Sequence, residues 1–570
     1  MTDFSSPSEA AISGPDRRKG PDADRRRLVA GLGLGMLGAG LTGCATSSSG
    51  RRSRSLAPGK RVELLYLADT LESLQPTRIV APATYLGPPE LLGASPWATA
   101  QGVATLAGTP GEKWRTYSDP RLAAQRHTAG HGRLAASLER LRESIGPSRS
   151  LTLENGQCWN GSGLGHLSHG RVGVAASRLL GSDVRVSSDE RVLWPRQTAA
   201  LYRDYGRPVL GSLAPESTPE GVTSEAHFQR DGVRIAVVGA TDPHAFDERR
   251  DLDVWYQALA GAVNRAGESA DLVVLMADTG SAPARWLAER LPGVDLVLAA
   301  RGQDFWPGLI DISHRDGGSV PMCLPGSHGS GFYQLSCLSD GDGWRIESRF
   351  HPNDDERIEP ERGALLQARF ETLRAPYAGW LDRRLGTAPD WLWRRDSVGG
   401  SWDGLIGDAL RADGDLRALL PGLRHDTLVA PGEAITRDHL LRLTGGHPAR
   451  VVDLSPNTGE LKRLVERALD NSLGSPQIIH TNRDLPRLID TDWTLNYGAG
   501  PGERATLNTT GGDWRTFSAR PDAPAGEALW QRMERYLQAQ GGEPPRPERP
   551  RITARYVEGH PGWHPQARLT

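Results

Sequence analysis

Short apolar runs of strand length alternate, along the first half of this 570-residue chain, with longer stretches whose apolar residues recur at helical spacing. The runs at 62–67, 151–153, 183–186, 233–238, 272–276 and 295–298 read as buried strands, and 134–145 and 255–266 as amphipathic helices between them. Such alternation predicts a layered α/β domain, because the apolar faces of the strands must be covered by helices or by a second sheet. The stretch from Phe332 to Phe350 reads as a hairpin turning through Ser339-Asp340-Gly341-Asp342-Gly343. A polar helix at about 359–385 then leads into a second half with helices at 402–410, 437–443 and 458–473, the last opened by Asn457 or Thr458 as N-cap. Strand-like runs at 427–429 and 449–454 make that half a mixed α/β domain as well. Past residue 541, Pro544, Pro545 and Pro547 mark a poorly ordered or surface-wrapping tail.

Sixty-seven basic residues against 69 acidic ones leave a formal charge of −2, so no global field recruits nucleic acid or an acidic membrane. Gly and Pro, at 67 and 41 residues, stay below the level that signals disorder and imply long loops on an ordered scaffold. The length suits two domains with terminal extensions.

The N-terminus has the composition of a targeting segment. Arg25, Arg26 and Arg27 precede an apolar, glycine-rich run from Leu28 to Leu41, too short to span a bilayer as a helix of about 20 residues. The run ends in Leu41-Thr42-Gly43-Cys44, which resembles a lipobox whose cysteine carries the lipid, and the arginines preceded by Asp24 resemble a twin-arginine export signal. The alternative is a general secretory signal with an incidental arginine run. Either predicts a mature protein outside the cytoplasm, touching the membrane only through the anchor at Cys44, with the Ser/Arg stretch 46–55 as a tether. Of the other cysteines, Cys323 and Cys337 lie on two strands joined by Pro325-Gly326-Ser327-His328-Gly329, which leaves open a disulfide or two buried thiols.

Several motifs, ordered along both halves, carry a resemblance. They are Leu74-Gln75-Pro76 with Leu86-Gly87, Trp159-Asn160-Gly161-Ser162, Ser401-Trp402-Asp403 with Leu405-Ile406 and Asp408-Ala409-Leu410-Arg411, Pro421-Gly422-Leu423-Arg424, and Pro431-Gly432-Glu433-Ala434-Ile435-Thr436. On these, 62–471 resembles the SoxB thiosulfohydrolases within the wider 5′-nucleotidase family. The resemblance implies an N-terminal metallophosphoesterase-type β-sandwich flanked by helices and a C-terminal 5′-nucleotidase-type α/β domain. It divides the chain into a signal peptide with lipobox (1–44), a tether (45–60), a metallophosphoesterase-like domain (61–355), a linker helix (356–385), a nucleotidase C-terminal-like domain (386–540) and a tail (541–570).

The family's reaction uses two divalent cations, manganese in SoxB, held by histidines and a bridging carboxylate so that metal-bound water ionises near neutral pH. Against the family's motifs this chain departs at nearly every ligand. Asp-x-His reads Asp69-Thr70-Leu71, and Gly-Asp-Thr-Trp-Gln-Gly-Ser reads Gly156-Gln157-Cys158-Trp159-Asn160-Gly161-Ser162. Gly-His-Trp-Glu reads Ser187-Ser188-Asp189-Glu190, Ser-His-Asn-Gly reads Ala277-Asp278-Thr279-Gly280, and Gly-His-Thr-His-Asp reads Ala300-Arg301-Gly302-Gln303-Asp304. Every histidine and the bridging aspartate are replaced, and Arg301 is a permanent cation at a ligand position.

Two outcomes remain open for the surviving oxygens. Asp69 and Asp278, with Asp189, Glu190 and Gln157, would make one hard-oxygen cation site, or Arg301 would satisfy Asp69 and Asp278 as a salt bridge without metal. Arg424 matches the family's substrate-facing arginine and otherwise serves as a domain-interface salt bridge. Cys158 is a nucleophile or an inert buried thiol. His127, His131, His166 and His169 show no ligand spacing and read as exposed loop residues. Trp380, Trp391, Trp393 and Trp402 line a cleft or pack the junction between the halves. The family's Gly-Gly-Asp, which shapes a channel for a carrier's arm, reads Asn482-Arg483-Asp484. The expectation is a pocket without resident metal, with Asp69, Asp278 and Arg424 as the candidates for any remodelled catalysis. Arg424, Arg301, Trp159 and Asn160 are the candidates for binding, and a SoxYZ-like sulfur carrier is the implied partner.

Overall fold

The apolar runs of the first half become the strands of two packed sheets. The computed structural model describes residues 58–78, 87–89, 97, 128–214, 217–244, 251–341, 343–353, 359–395, 399–474, 484–520 and 523–556, and 50–570 form one unit. The export signal, Cys44 and most of the tether lie outside the described residues, as do Leu86, His127, Asn482, Arg483 and the last part of the tail.

The first sheet is built from β1 (Arg61–Ala68), β2 (Ser150–Asn155), β3 (Val184–Val186), β4 (Val209–Leu210) and β5 (Val222–Thr223), extended beyond β1 by strands that follow later in the chain. The second contains β6 (Glu225–Arg230), β7 (Val233–Thr241), β8 (Leu272–Asp278), β9 (Leu296–Ala299), β10 (Phe305–Ser313) and β11 (Ser319–Pro325). The chain then returns to the first sheet as the hairpin β12 (Gly331–Ser339) and β13 (Trp344–Pro352), with β12 antiparallel to β1. Strands β1 to β4 are parallel, as are β7 to β9.

Residue alternation decides what each face buries. Val62, Leu64 and Tyr66 of β1 enter the core between the sheets with Val237, Val274 and Leu298. Leu65 and Leu67 point the other way, against the helices Gly130–Ile145 and Pro360–Leu381. Both faces are thus covered, which is why these strands read as continuous apolar runs rather than alternating ones.

After the helix Pro360–Leu381 the chain forms three small sheets. They contain β14 (Arg384–Thr387) with β16 (Ala434–Thr436); β15 (Arg417–Leu420), β17 (Arg450–Leu454), β18 (Arg487–Ile489) and β21 (Trp514–Ser518); and β19 (Trp493–Asn496), β20 (Ala505–Leu507) and β22 (Ile552–Arg555). Asn457 caps the helix Thr458–Leu473 reciprocally with Glu460. The run 427–429 is not a strand. Its Thr427 N–H is taken by the Asp426 carboxylate and only Val429 makes a bridge, to Leu392. The described part of the tail, 541–556, wraps back onto the second half: Gly542 accepts from the Thr387 N–H, Arg549 lies over Trp393, and β22 pairs with β19. Trp402 is fully buried and Trp393 joins the inter-sheet core, so these two pack the junction rather than lining a cleft. No described helix is long and apolar enough to cross a membrane.

Cys323 and Cys337 are free, buried thiols, as is Cys158. The connection 326–330 carries the chain from one sheet to the other, so the two cysteines are not cross-strand neighbours. Cys323 lies beside Leu309 and Leu298, and Cys337 beside Val62 and Ile346. We expect alkylation without prior reduction to label Cys323 and Cys337 fully in denaturant and scarcely in the native protein. Peptide mapping that finds the two linked would contradict this packing.

Candidate functional site

The parallel strands of both sheets end on the same side, and the loops leaving those ends build one buried polar cluster. Two hydrogen bonds tie its floor across the sheets. The Tyr66 hydroxyl donates to the Ala299 carbonyl at 2.7 Å and the Asn155 amide to the Leu298 carbonyl at 3.0 Å. Asp69 follows β1 directly. Its Oδ1 accepts the Gln157 N–H at 2.9 Å and its Oδ2 the Gln303 N–H at 3.0 Å. Gly156 is required here, because a Cβ on it would lie 2.0 Å from Asp69 Oδ1.

These loops are held in strained backbone. Asp69, Leu71, Glu72, Arg301, Gln303 and His328 are six of the ten described non-glycine residues with positive φ. That conformation costs an L-residue about 1–2 kcal/mol, and its concentration at one cluster of strand ends marks a place where the surroundings over-determine the chain.

Arg301, in the loop after β9, is the cluster's centre. Its Nη1 lies 2.7 Å from Asp189 Oδ1 and 3.4 Å from Asp278 Oδ2, and its Nε 3.0 Å from Asp242 Oδ2. Those carboxylates come from the ends of β3, β8 and β7. Burial would lower the arginine's pKa, but the three negative charges raise it. Burial likewise would raise Asp189, yet Arg301 and His447 hold it well below the usual carboxylate range. Asp278 receives less of the shared cation and rises to about 7, through burial and the neighbouring Asp189 and Asp69 charges. The salt bridge anticipated between Arg301 and Asp278 is present, but Asp69 is held by backbone N–H groups instead, and the nearest partners are Asp189 and Asp242.

Neutral amides complete the cluster. Gln157 Nε2 donates to Asp189 Oδ2 at 2.7 Å, and its Oε1 accepts from Gln303 Nε2 at 3.3 Å. Asn160 Nδ2 reaches Asp189 Oδ2 at 3.4 Å, and Leu71, buried at the loop, packs where Gly161 leaves room for it. Ser188 is buried beside Asp189, and its N–H is taken by Glu190. Glu190 itself turns away to Arg185 and Tyr202, so it does not join the other oxygens. Trp159 is wholly enclosed, with its indole N–H on Ser177 and its ring under the Arg185 guanidinium at 3.6 Å. Burial pushes the Cys158 thiol well up, leaving it inert.

The second half closes the cluster from outside. His447 Nε2 lies 3.3 Å from Asp189 Oδ2, and His425 Nδ1 lies 3.3 Å from Gln303 Nε2. Arg395 and Arg424 both grip the loop 302–304, each bonding the Gly302 carbonyl and Asp304. Arg424 also meets Asp484, which continues through Arg487 and Asp403 to Arg394. Arg424 is therefore an interface ion pair. His447, His425, Asp242 and Arg395 escaped the sequence reading. Only Asp242 had a signal, as a carboxylate just past a strong strand run. His131 is buried in a helix against Phe370 rather than exposed in a loop, and neither His166 nor His169 approaches the cluster.

Burial raises several enclosed carboxyls above their ordinary pKa, among them Asp69 to about 6, Asp278 and Asp426 to about 7, and Glu72 to about 8. Each binds its proton more tightly folded than unfolded. Its stabilising effect is complete below the unfolded pKa and is lost as pH rises through the folded one. Buried histidines such as His131, lowered to about 4, oppose this up to about pH 7.5, where the unfolded chain still takes up protons that the folded one refuses. We expect urea midpoints to fall from about pH 7.5 to about pH 8.5, at up to about 1.4 kcal/mol per pH unit for each carboxyl still protonated. Glu72→Gln should flatten the slope, and a midpoint that rises over this range would contradict the burial of these groups.

No protein-family model and no curated protein matches the sequence. Solved structures do. The Thermus thermophilus sulfate thiohydrolase SoxB in complex with glycerol is 22% identical, with a TM-score of 0.76 over 88% of this chain and 99% of that one. A 5′-nucleotidase precursor, also from Thermus thermophilus, is 14% identical, with a TM-score of 0.64 over 87% and 99%. A putative 5′-nucleotidase from Staphylococcus aureus in complex with alpha-ketoglutarate is 13% identical, with a TM-score of 0.53 over 87% and 100%. At these identities it is the fold that is shared: the chain has the SoxB-like two-domain fold of the 5′-nucleotidase and metallophosphoesterase structures.

Proposed function

We propose that this is an exported, SoxB-like protein that keeps the hydrolase fold without the dimetal chemistry, and that it serves as a non-catalytic binding or accessory protein in periplasmic sulfur-compound oxidation. One observation carries the reading: the guanidinium of Arg301 stands among Asp189, Asp242 and Asp278 at the strand ends.

Two divalent cations do not suit the residues around it. A permanent cation occupies the centre of the carboxylates, and a dication beside it would add buried repulsion. Asp69 already has a backbone N–H on each oxygen. Gln157 is a neutral amide that donates toward Asp189 and whose one oxygen faces Gln303, so it supplies no negative charge between metals. A remodelled active site of Asp69, Asp278 and Arg424 has less support, because Arg424 is committed to Asp304 and Asp484.

The location and partner rest on the sequence. The reading places the mature protein in the periplasm after twin-arginine export, lipid-anchored at Cys44. It either docks a SoxYZ-like sulfur carrier or competes with an active paralogue for it.

The test is elemental analysis of the exported protein, followed by assays on a thiosulfonate-loaded carrier and on phosphomonoesters with manganese, magnesium or calcium. We expect no stoichiometric metal and no turnover above that of Asp69→Ala. Two manganese ions per chain, with sulfate release that Asp69→Ala abolishes, would overturn the proposal.

A further inference from the structure

We infer that Arg301 is a built-in replacement for a bound cation: it does the structural work of holding carboxylate-bearing strand ends together, and removing its side chain leaves a pocket that recruits a small cation from solution. The inference rests on the non-catalytic reading of the cluster and goes beyond it, because it assigns the pocket a ligand class and the arginine a positive role.

The geometry carries it. One planar guanidinium touches carboxylates from β3, which belongs to the first sheet, and from β7 and β8, which belong to the second. It thereby closes the open end of the sandwich. Arg301 reaches this position from a left-handed backbone, φ +71, which fixes the direction in which its side chain leaves the loop. Asp69 adds a fourth buried carboxyl at the same strand ends, held by the Gln157 and Gln303 N–H groups. All four are at most 2% exposed, so water cannot screen their repulsion. His447 and the Gln157 and Asn160 amides contribute donors to Asp189.

Without the guanidinium, the charge must be relieved in one of three ways: by protonation, by opening the loops, or by a cation small enough for the vacated space. The carboxylate oxygens that face such a space are donors of the kind preferred by hard divalent cations. The planar fork they already hold would also accept free guanidinium.

The experiment compares wild type with Arg301→Ala by thermal unfolding, without additive and with millimolar magnesium, manganese, calcium or guanidinium chloride. Bound metal is counted after desalting. Wild type should be indifferent to every probe. Arg301→Ala should melt lower by roughly 10 °C and recover part of that shift, saturably, with at least one probe at about one cation per chain. If Arg301→Ala is too unstable to purify, the comparison moves to Arg301→Ala with Asp278→Asn, which has one carboxylate fewer and should fold better than the single variant and respond less to the probes.

An alanine variant as stable as wild type would overturn the inference, as would one that is destabilised but unmoved by all four probes, or a double variant no better folded than the single. Those outcomes leave the proposed function standing. Two manganese ions bound by the wild type would instead defeat both.

Discussion

The guanidinium of Arg301 lets three buried carboxylates from different strand ends occupy one dry space. Taking such charges out of water costs several kcal/mol per ion, and only close, well-directed pairing offsets it. Losing one partner from a buried network of this kind costs about 3–5 kcal/mol. The strained loops depend on the same arrangement. Asp69, Gln303 and Arg301 itself adopt left-handed backbone, while Asp69 ties its own loop to those after β2 and β9 through the Gln157 and Gln303 N–H groups. Strain, charge and packing are therefore settled together at one end of the sandwich.

From that end a chain of buried ion pairs runs into the second half. Asp304, three residues past Arg301, is held by Arg395 and Arg424, and the pairing continues through Asp484, Arg487 and Asp403 to Arg394. Asp426 holds the two ends of this chain together by accepting the backbone N–H groups of Arg394 and Arg395. Gly446 sits against the Ser162 carbonyl, where a Cβ would come within 2.6 Å, and this close approach brings His447 onto Asp189. The two halves meet over the cluster, and side chains from both fill it.

Much of this was legible in the amino-acid order, for identifiable reasons. Strands buried on both faces leave unbroken apolar runs, so β1, β7 and β8 were plain, and the polar helix Pro360–Leu381 announced the join. Strands that are short or half exposed, such as β4, β5 and β6, left no such run. The loops at the strand ends were recognisable by resemblance to known motifs, which placed Asp69, Gln157, Asp278 and Arg301 together. What sequence could not supply was the answer of the second half. His447 and Asp189, or Arg395 and Asp304, are distant along the chain and carry no spacing pattern, since only tertiary packing brings them within reach. The cysteines make the same point in reverse: Cys323 and Cys337 are close in sequence, yet the chain changes sheets between them.

The most direct test of the central claim is crystallographic. Crystals of the exported protein grown with excess manganese would be measured at an energy where that metal scatters anomalously. The expected map has continuous density for the Arg301 guanidinium between Asp189, Asp242 and Asp278 and no anomalous peak at the strand ends. Two anomalous peaks there, with Arg301 displaced from the carboxylates, would contradict the account.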